Sequence, residues 1–265
     1  MAKTTKIKRK RSTAKRTLSL PDPKFPGPHR PFNDPGRDEA WWWLGIPLFA
    51  GIFVVASYRL APDWYHLWVA REGPGILETA QFILMVMGFV IAVQLLLDPF
   101  VRARPLVLAV SVLAALTCLY VGGEEVGWGQ HLFFWKEPEL TTALNPEGEL
   151  GLHTINPAFE QVPRQLLVIG VLVGGLIVPL VAAYDARLRI SRIALFLPAA
   201  ALVPTAAGVA FFKIWEVLTK HGMVGEFGKR PSETIEFYLY FFVFAYLIMF
   251  ERRIAQLESS ETKRS

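Results

Sequence analysis

The sequence predicts an all-α membrane protein, a polytopic bundle of about six transmembrane helices with both termini on the cytoplasmic side. Hydrophobic residues make up 52% of the 265 and the mean hydropathy is +0.33, yet 19% of residues are charged, so the two classes must be segregated along the chain. Apolar runs of about twenty residues recur from Trp41 onward, the length a helix needs to cross roughly 30 Å of hydrocarbon. The loops between these runs alternate in charge, and the arginine-rich ones mark the cytoplasmic side.

The chain opens on Lys3, Lys6, Lys8, Arg9, Lys10, Arg11, Lys15 and Arg16 with no acid among them. A segment of this composition is expected to stay disordered and to meet anionic lipid headgroups, with no specific nucleic-acid recognition required. From Leu20 to Asp38 six prolines favour extended conformations, so residues 1–40 read as a cytoplasmic tail and tether. No cleavable signal is expected, because the first apolar run follows about forty polar residues and is too long for an h-region. Trp41, Trp42 and Trp43 mark a membrane interface at the start of the first span, which ends near Leu60.

The further spans are predicted at Ile76 to Leu97, Leu106 to Gly122, Leu166 to Tyr184, Ile193 to Ile214 and Ile235 to Phe250, with 251–265 as a second cytoplasmic tail. Arg102 and Arg104, then Arg187, Arg189 and Arg192, then Arg252 and Arg253 fall on one side of this topology. The long loop 124–163 carries Glu137, Glu139, Glu147, Glu149 and Glu160 against Lys136 and is predicted to face outward. Cys118 is the only cysteine, which excludes an intramolecular disulfide, a CxxC redox pair and a thiolate metal cage.

Polar chemistry concentrates at Gly122-Gly-Glu-Glu-Val-Gly-Trp-Gly-Gln-His131, directly after the third apolar run. If helix continues through it, Glu124, Trp128 and His131 share one face, and Gly123, Gly127 and Gln130 form a neighbouring one open to close helix approach. The chain resembles here a family of uncharacterised bacterial multi-helix membrane proteins with the signature G-E-E-I-S-W-G-Q-R followed by N-x-Q-G-E-x-x-L-H-N. Gly123 to His131 and Asn145-Pro-Glu-Gly-Glu-Leu-Gly-Leu-His-Thr154 carry the likeness. Gly127, His131, Pro146, Glu147 and Thr154 depart from it, standing for serine, arginine, an apolar residue, glutamine and asparagine. The resemblance implies a bacterial inner membrane and points to Glu124, Glu125, Trp128, Gln130, Asn145, Glu149 and His153; it implies no activity.

Topology brings further acids to the same face. Glu78 begins an inward-going helix, Glu216 ends an outward-going one, and Glu233 and Glu236 begin the last span. Glu78 and Glu233 also suit simple compensation of a helix dipole, and Glu216 can pair with Lys213 three residues before it. A short internal likeness joins Glu78-Thr-Ala-Gln-Phe-Ile-Leu to Glu233-Thr-Ile-Glu-Phe-Tyr-Leu. His29, His66 and His221 stand alone.

The residues therefore suggest an outward-facing pocket with Glu124, Glu125 and His153 as candidate catalytic groups. Glu78, Trp128, Gln130, His131, Asn145, Glu149, Glu216 and Glu236 are candidate substrate contacts. Imidazoles among carboxylates would suit a divalent metal, although HExxH is absent. The absence of GxSxG, a P-loop and GxGxxG removes support for serine hydrolases, nucleotide hydrolases and dinucleotide enzymes. Three functions fit: an enzyme working on a membrane lipid or lipid-linked substrate by general acid/base chemistry, a noncatalytic assembly subunit with protein partners, and a proton- or cation-coupled carrier.

Overall fold

Long apolar runs in this chain become helices because backbone N–H and C=O groups in hydrocarbon must find partners within their own segment. The structure, a computed structural model, describes residues 31–71, 75–133, 158–185, 187–225 and 231–262. Among these residues there is no strand, and six helices are long and apolar enough to cross a membrane. They are α1 (Trp41–Leu60), α2 (Ile76–Leu97), α3 (Pro105–Glu125), α4 (Gln161–Tyr184), α5 (Ala200–Lys220) and α6 (Pro231–Thr262). The protein is a multi-pass integral membrane protein. The basic tail expected at Lys3 to Arg16 lies outside the described residues.

Helix α6 is the centre of the bundle and packs on α1, α2, α4 and α5. Helices α2 and α3 run side by side, brought close by glycine: a Cβ on Gly122 would meet Met85 at 3.2 Å, and one on Gly88 would meet the Cys118 sulfur at 3.0 Å. Cys118 is buried in that seam as a small apolar residue.

Tyr238 of α6 wedges between α1 and α5. Its hydroxyl donates to the Pro47 carbonyl at 2.5 Å. A Cβ on Gly51 would meet that hydroxyl at 2.7 Å, while its next neighbour, Phe212, is at an ordinary 3.8 Å. Gly51→Ala should therefore cost about 1–3 kcal/mol in the wild-type background, as overpacking does, and much less in Tyr238→Phe. Equal costs in both backgrounds, measured by thermal unfolding in detergent, would refute this packing.

The third helix ends at Glu125, the fourth begins before Leu166 and the sixth before Ile235, each a few residues beyond the expected span, and two further boundaries differ for a physical reason. The fifth span does not begin at Ile193: residues Arg192–Leu195 and Ala200–Leu202 form single 3₁₀ turns, and regular α-helix starts at Val203. Pro198 explains the break, since it has no N–H for the Ala194 carbonyl and its ring would strike that carbonyl in a helix. The carbonyls left over are satisfied from α6. Arg253 donates to Ala194 at 2.9 Å and also to Leu195 and Leu197, and Tyr246 donates its hydroxyl to Phe196 at 3.0 Å.

The sixth helix runs twelve residues past the expected end at Phe250, from Glu251 to Thr262. Leu247, Phe250, Arg253, Ile254 and Leu257 are buried along it at helical spacing, so a second, amphipathic stretch continues the apolar one. Arg104 fixes its end, donating to both carboxylate oxygens of Glu261 at 2.8 Å with its guanidinium 3.4 Å above the Phe100 ring.

The stretch read as a tether is docked from Pro31 onward. Asp34 takes two bonds from Arg253 at 2.9 and 2.7 Å, and Asn33 exchanges hydrogen bonds with Gln256. Glu39 accepts from Arg252 at 2.7 Å and from the Trp42 indole at 3.1 Å, and these two donors hold its carboxyl below the usual carboxylate range. The three tryptophans divide their work: Trp41 is 72% exposed as an interface anchor requires, Trp42 is buried, and Trp43 donates to the Gly36 carbonyl at 3.1 Å.

Candidate functional site

At the end of the bundle opposite Arg253, the last turn of α3 meets the first turns of α2 and α6. Glu233, Glu236 and Tyr240 sit at i, i+3 and i+7 on α6, so all three share one face. Tyr240 donates its hydroxyl to Glu125 Oε1 at 3.0 Å, and Glu236, Glu233 and Glu78 all lie close enough to act on Glu125 electrostatically. Glu236 is paired in turn with Arg164 of α4 at 2.7 Å. Gln81, fully buried on α2, donates to the Glu233 carbonyl at 2.8 Å and ties α2 to α6. The two segments that look alike in sequence, at Glu78 and Glu233, are thus brought against each other and against Glu125.

The two adjacent carboxylates of the motif have separate partners. Glu125 turns to α6, whereas Glu124 Oε1 accepts from the Trp128 indole at 2.5 Å. A continuous helix from Gly122 to His131 is overturned: α3 stops at Glu125, and Gly127, Trp128 and Gly129 all have positive φ, at 52°, 50° and 96°. A new turn starts only at Gln130. Two glycines permit the reversal; Trp128 bears the left-handed conformation that a bulky residue rarely adopts. Its cost is offset by the bond to Glu124 and by an indole seated on Gly123, where a Cβ would meet the ring at 3.0 Å. Gly123 therefore receives the chain's own tryptophan rather than another helix, and Gly122 alone of this pair faces a neighbouring span.

Glu216 is not brought into this cluster by its partners. It lies between Lys213 and Lys220 of its own helix, at 2.7 Å from each, which is the local pairing its i,i+3 spacing allows. Asn145, Glu149, His153 and the side chain of His131 lie outside the described residues. Among the described residues no group of three or more His, Cys, Asp or Glu is arranged to hold a metal ion.

Arg164, Gln81 and Tyr240 were not singled out by the sequence. The i+3, i+7 spacing of Glu236 and Tyr240 after Glu233 was a readable signal for Tyr240. Arg164 had none, because it opens an apolar span and meets Glu236 from far along the chain. Chemically, the cluster offers a half-buried carboxylate held by a phenol, flanked by other acids and bordered by one guanidinium. Such a group can accept or deliver a proton at a fixed position. Compared with protein families, curated proteins and solved structures, the chain finds no match.

Proposed function

We propose that the protein is an enzyme of a bacterial inner membrane that acts on a lipid or lipid-linked substrate by general acid/base chemistry, with Glu125 as the group that carries the proton. The reading rests on one observation: the Glu125 carboxylate, at the very end of a membrane span, is held at 3.0 Å by Tyr240 among Glu78, Glu233 and Glu236. That position is where a lipid headgroup meets water. In this mechanism Glu125 takes the proton of the attacking hydroxyl or water and returns it to the leaving oxygen. Glu124 holds Trp128 as one wall of the site, and His153, with Gln130, His131, Asn145 and Glu149, contacts substrate from the following segment. The outward assignment of this end is supported by Arg102, Arg104, Arg189, Arg252 and Arg253 at the other, which would place both termini in the cytoplasm.

The same contacts favour a second reading, an assembly subunit, because Tyr240–Glu125 and Arg164–Glu236 are polar ties between spans. A deletion strain complemented with wild type or Glu125→Gln separates the two. The enzyme reading expects a full amount of folded Glu125→Gln protein and a lipid species whose turnover falls roughly 10²–10⁴-fold, as in the deletion. Lipid extracts identical in deletion and wild type would sink it, and a defect that tracks protein amount would favour assembly.

A further inference from the structure

A second feature lies on the other side of α6. Between α1 and α5 runs a cavity of about 660 Å³, within the roughly 300–1,000 Å³ usual for small-ligand sites. Its walls are apolar and in part small, with Gly51, Ala56, Ala207 and Gly208 facing Phe211 and Tyr238. The one hydroxyl on its floor, that of Tyr238, is already given to the Pro47 carbonyl. Water is a poor occupant of such a space, since an ordered water needs two to four polar partners.

We propose that this groove binds one acyl chain of an anionic phospholipid, with the headgroup on Arg59. The groove is lined on α1 from Pro47 to Leu60, about 20 Å by the rise of a helix, against roughly 15 Å for one leaflet of a 30 Å hydrocarbon core. A fatty chain can therefore lie along it at full extension. Arg59 lines the far end, is exposed, and among the described residues makes no ion pair or side-chain hydrogen bond. A guanidinium at the end of a span, beside an apolar trough, matches a phosphate diester whose tail enters the trough, and it pairs best where no headgroup cation competes for that phosphate, as choline does in a zwitterionic lipid. Tyr238 and Tyr240 are about 200° apart around α6, so the groove and the Glu125 cluster occupy opposite faces, and the lipid site does not depend on the chemistry proposed for Glu125.

The test is native mass spectrometry of the full chain, delipidated in mild detergent and titrated with dioleoyl phosphatidylglycerol or dioleoyl phosphatidylcholine. Wild type should retain one phosphatidylglycerol at least about tenfold more tightly than phosphatidylcholine. Arg59→Gln should erase that preference, and Ala207→Phe, which fills the trough from an exposed position, should weaken binding of both lipids by about tenfold or more. Circular dichroism of both variants verifies that the helices persist. Equal binding of the two lipids by wild type, or an undiminished preference in Arg59→Gln, overturns the proposal.

Discussion

Replacing Arg253 with alanine is expected to destabilise the protein by about 3–5 kcal/mol, the cost of removing one partner from a buried charged network. The residue is 5% exposed and is the donor for the carbonyls of Ala194, Leu195 and Leu197 as well as for Asp34. Those carbonyls have no second donor of helical type, because Pro198 interrupts the helix that would have supplied it. Loss of Arg253 thus loosens the 3₁₀ stretch before α5 and the docked segment from Pro31 together, leaving the first on Tyr246 and the second on Gln256 and Arg252. At about 2–4 °C per kcal/mol, the midpoint of thermal unfolding in detergent should fall by roughly 10 °C. Arg253→Lys should recover only part, since one ammonium cannot span a carboxylate and several carbonyls at once. Asp34→Asn should cost less than Arg253→Ala, because the asparagine oxygen still accepts from Arg253 and the carbonyls of Ala194, Leu195 and Leu197 keep their donor. An Arg253→Ala midpoint within about 2 °C of wild type would show that the network contributes little.

That hub also marks where sequence reading stops. The apolar runs themselves were legible, because hydrocarbon thickness and backbone satisfaction leave a helix as the only outcome for each. The start of α5 was not. A hydropathy window sees Ile193 to Ile214 as one run, and Pro198 within it suggests a bent or closely packed helix without telling that regular helix starts only after it. The continuation of α6 was hidden for the opposite reason: Glu251, Arg252 and Arg253 end the apolar run, yet Phe250, Ile254 and Leu257 keep a helical period that packs on the bundle. At the site, contacts within one helix were readable from spacing, as in Lys213 with Glu216. Contacts between helices were not: spacing puts Tyr240 on the face of Glu233 and Glu236, but its bond to Glu125 and the Arg164–Glu236 pair emerged only with the fold. The Glu124–Trp128 pair sits at i,i+4 as a helix would place it, but the structure forms it across a left-handed turn flanked by two glycines. Spacing put Glu124 and Trp128 on one face and missed both the bond between them and the turn that forms it.

Arg164 is where the two readings of the site part. Removing it as Arg164→Ala leaves Glu236 beside Glu125, Glu233 and Glu78 without the guanidinium that pairs with it at 2.7 Å. Because the arginine side chain keeps 26% of its surface exposed, the expected loss is the lower part of the range for a broken buried pair, about 2–3 kcal/mol. Glu236→Gln alone should cost less, since it removes a charge from an acidic cluster while leaving Arg164 access to water. The double variant Arg164→Ala/Glu236→Gln should regain most of the loss, a coupling that a double-mutant cycle on unfolding midpoints reads directly. Additive single costs would mean that the ion pair does not govern the stability of this end. With stability restored, the double variant becomes a functional probe. An assembly subunit needs only the helices in place, so the double variant should complement a deletion strain as well as wild type does. An enzyme whose substrate touches Glu236 should remain impaired although its protein is stable and abundant.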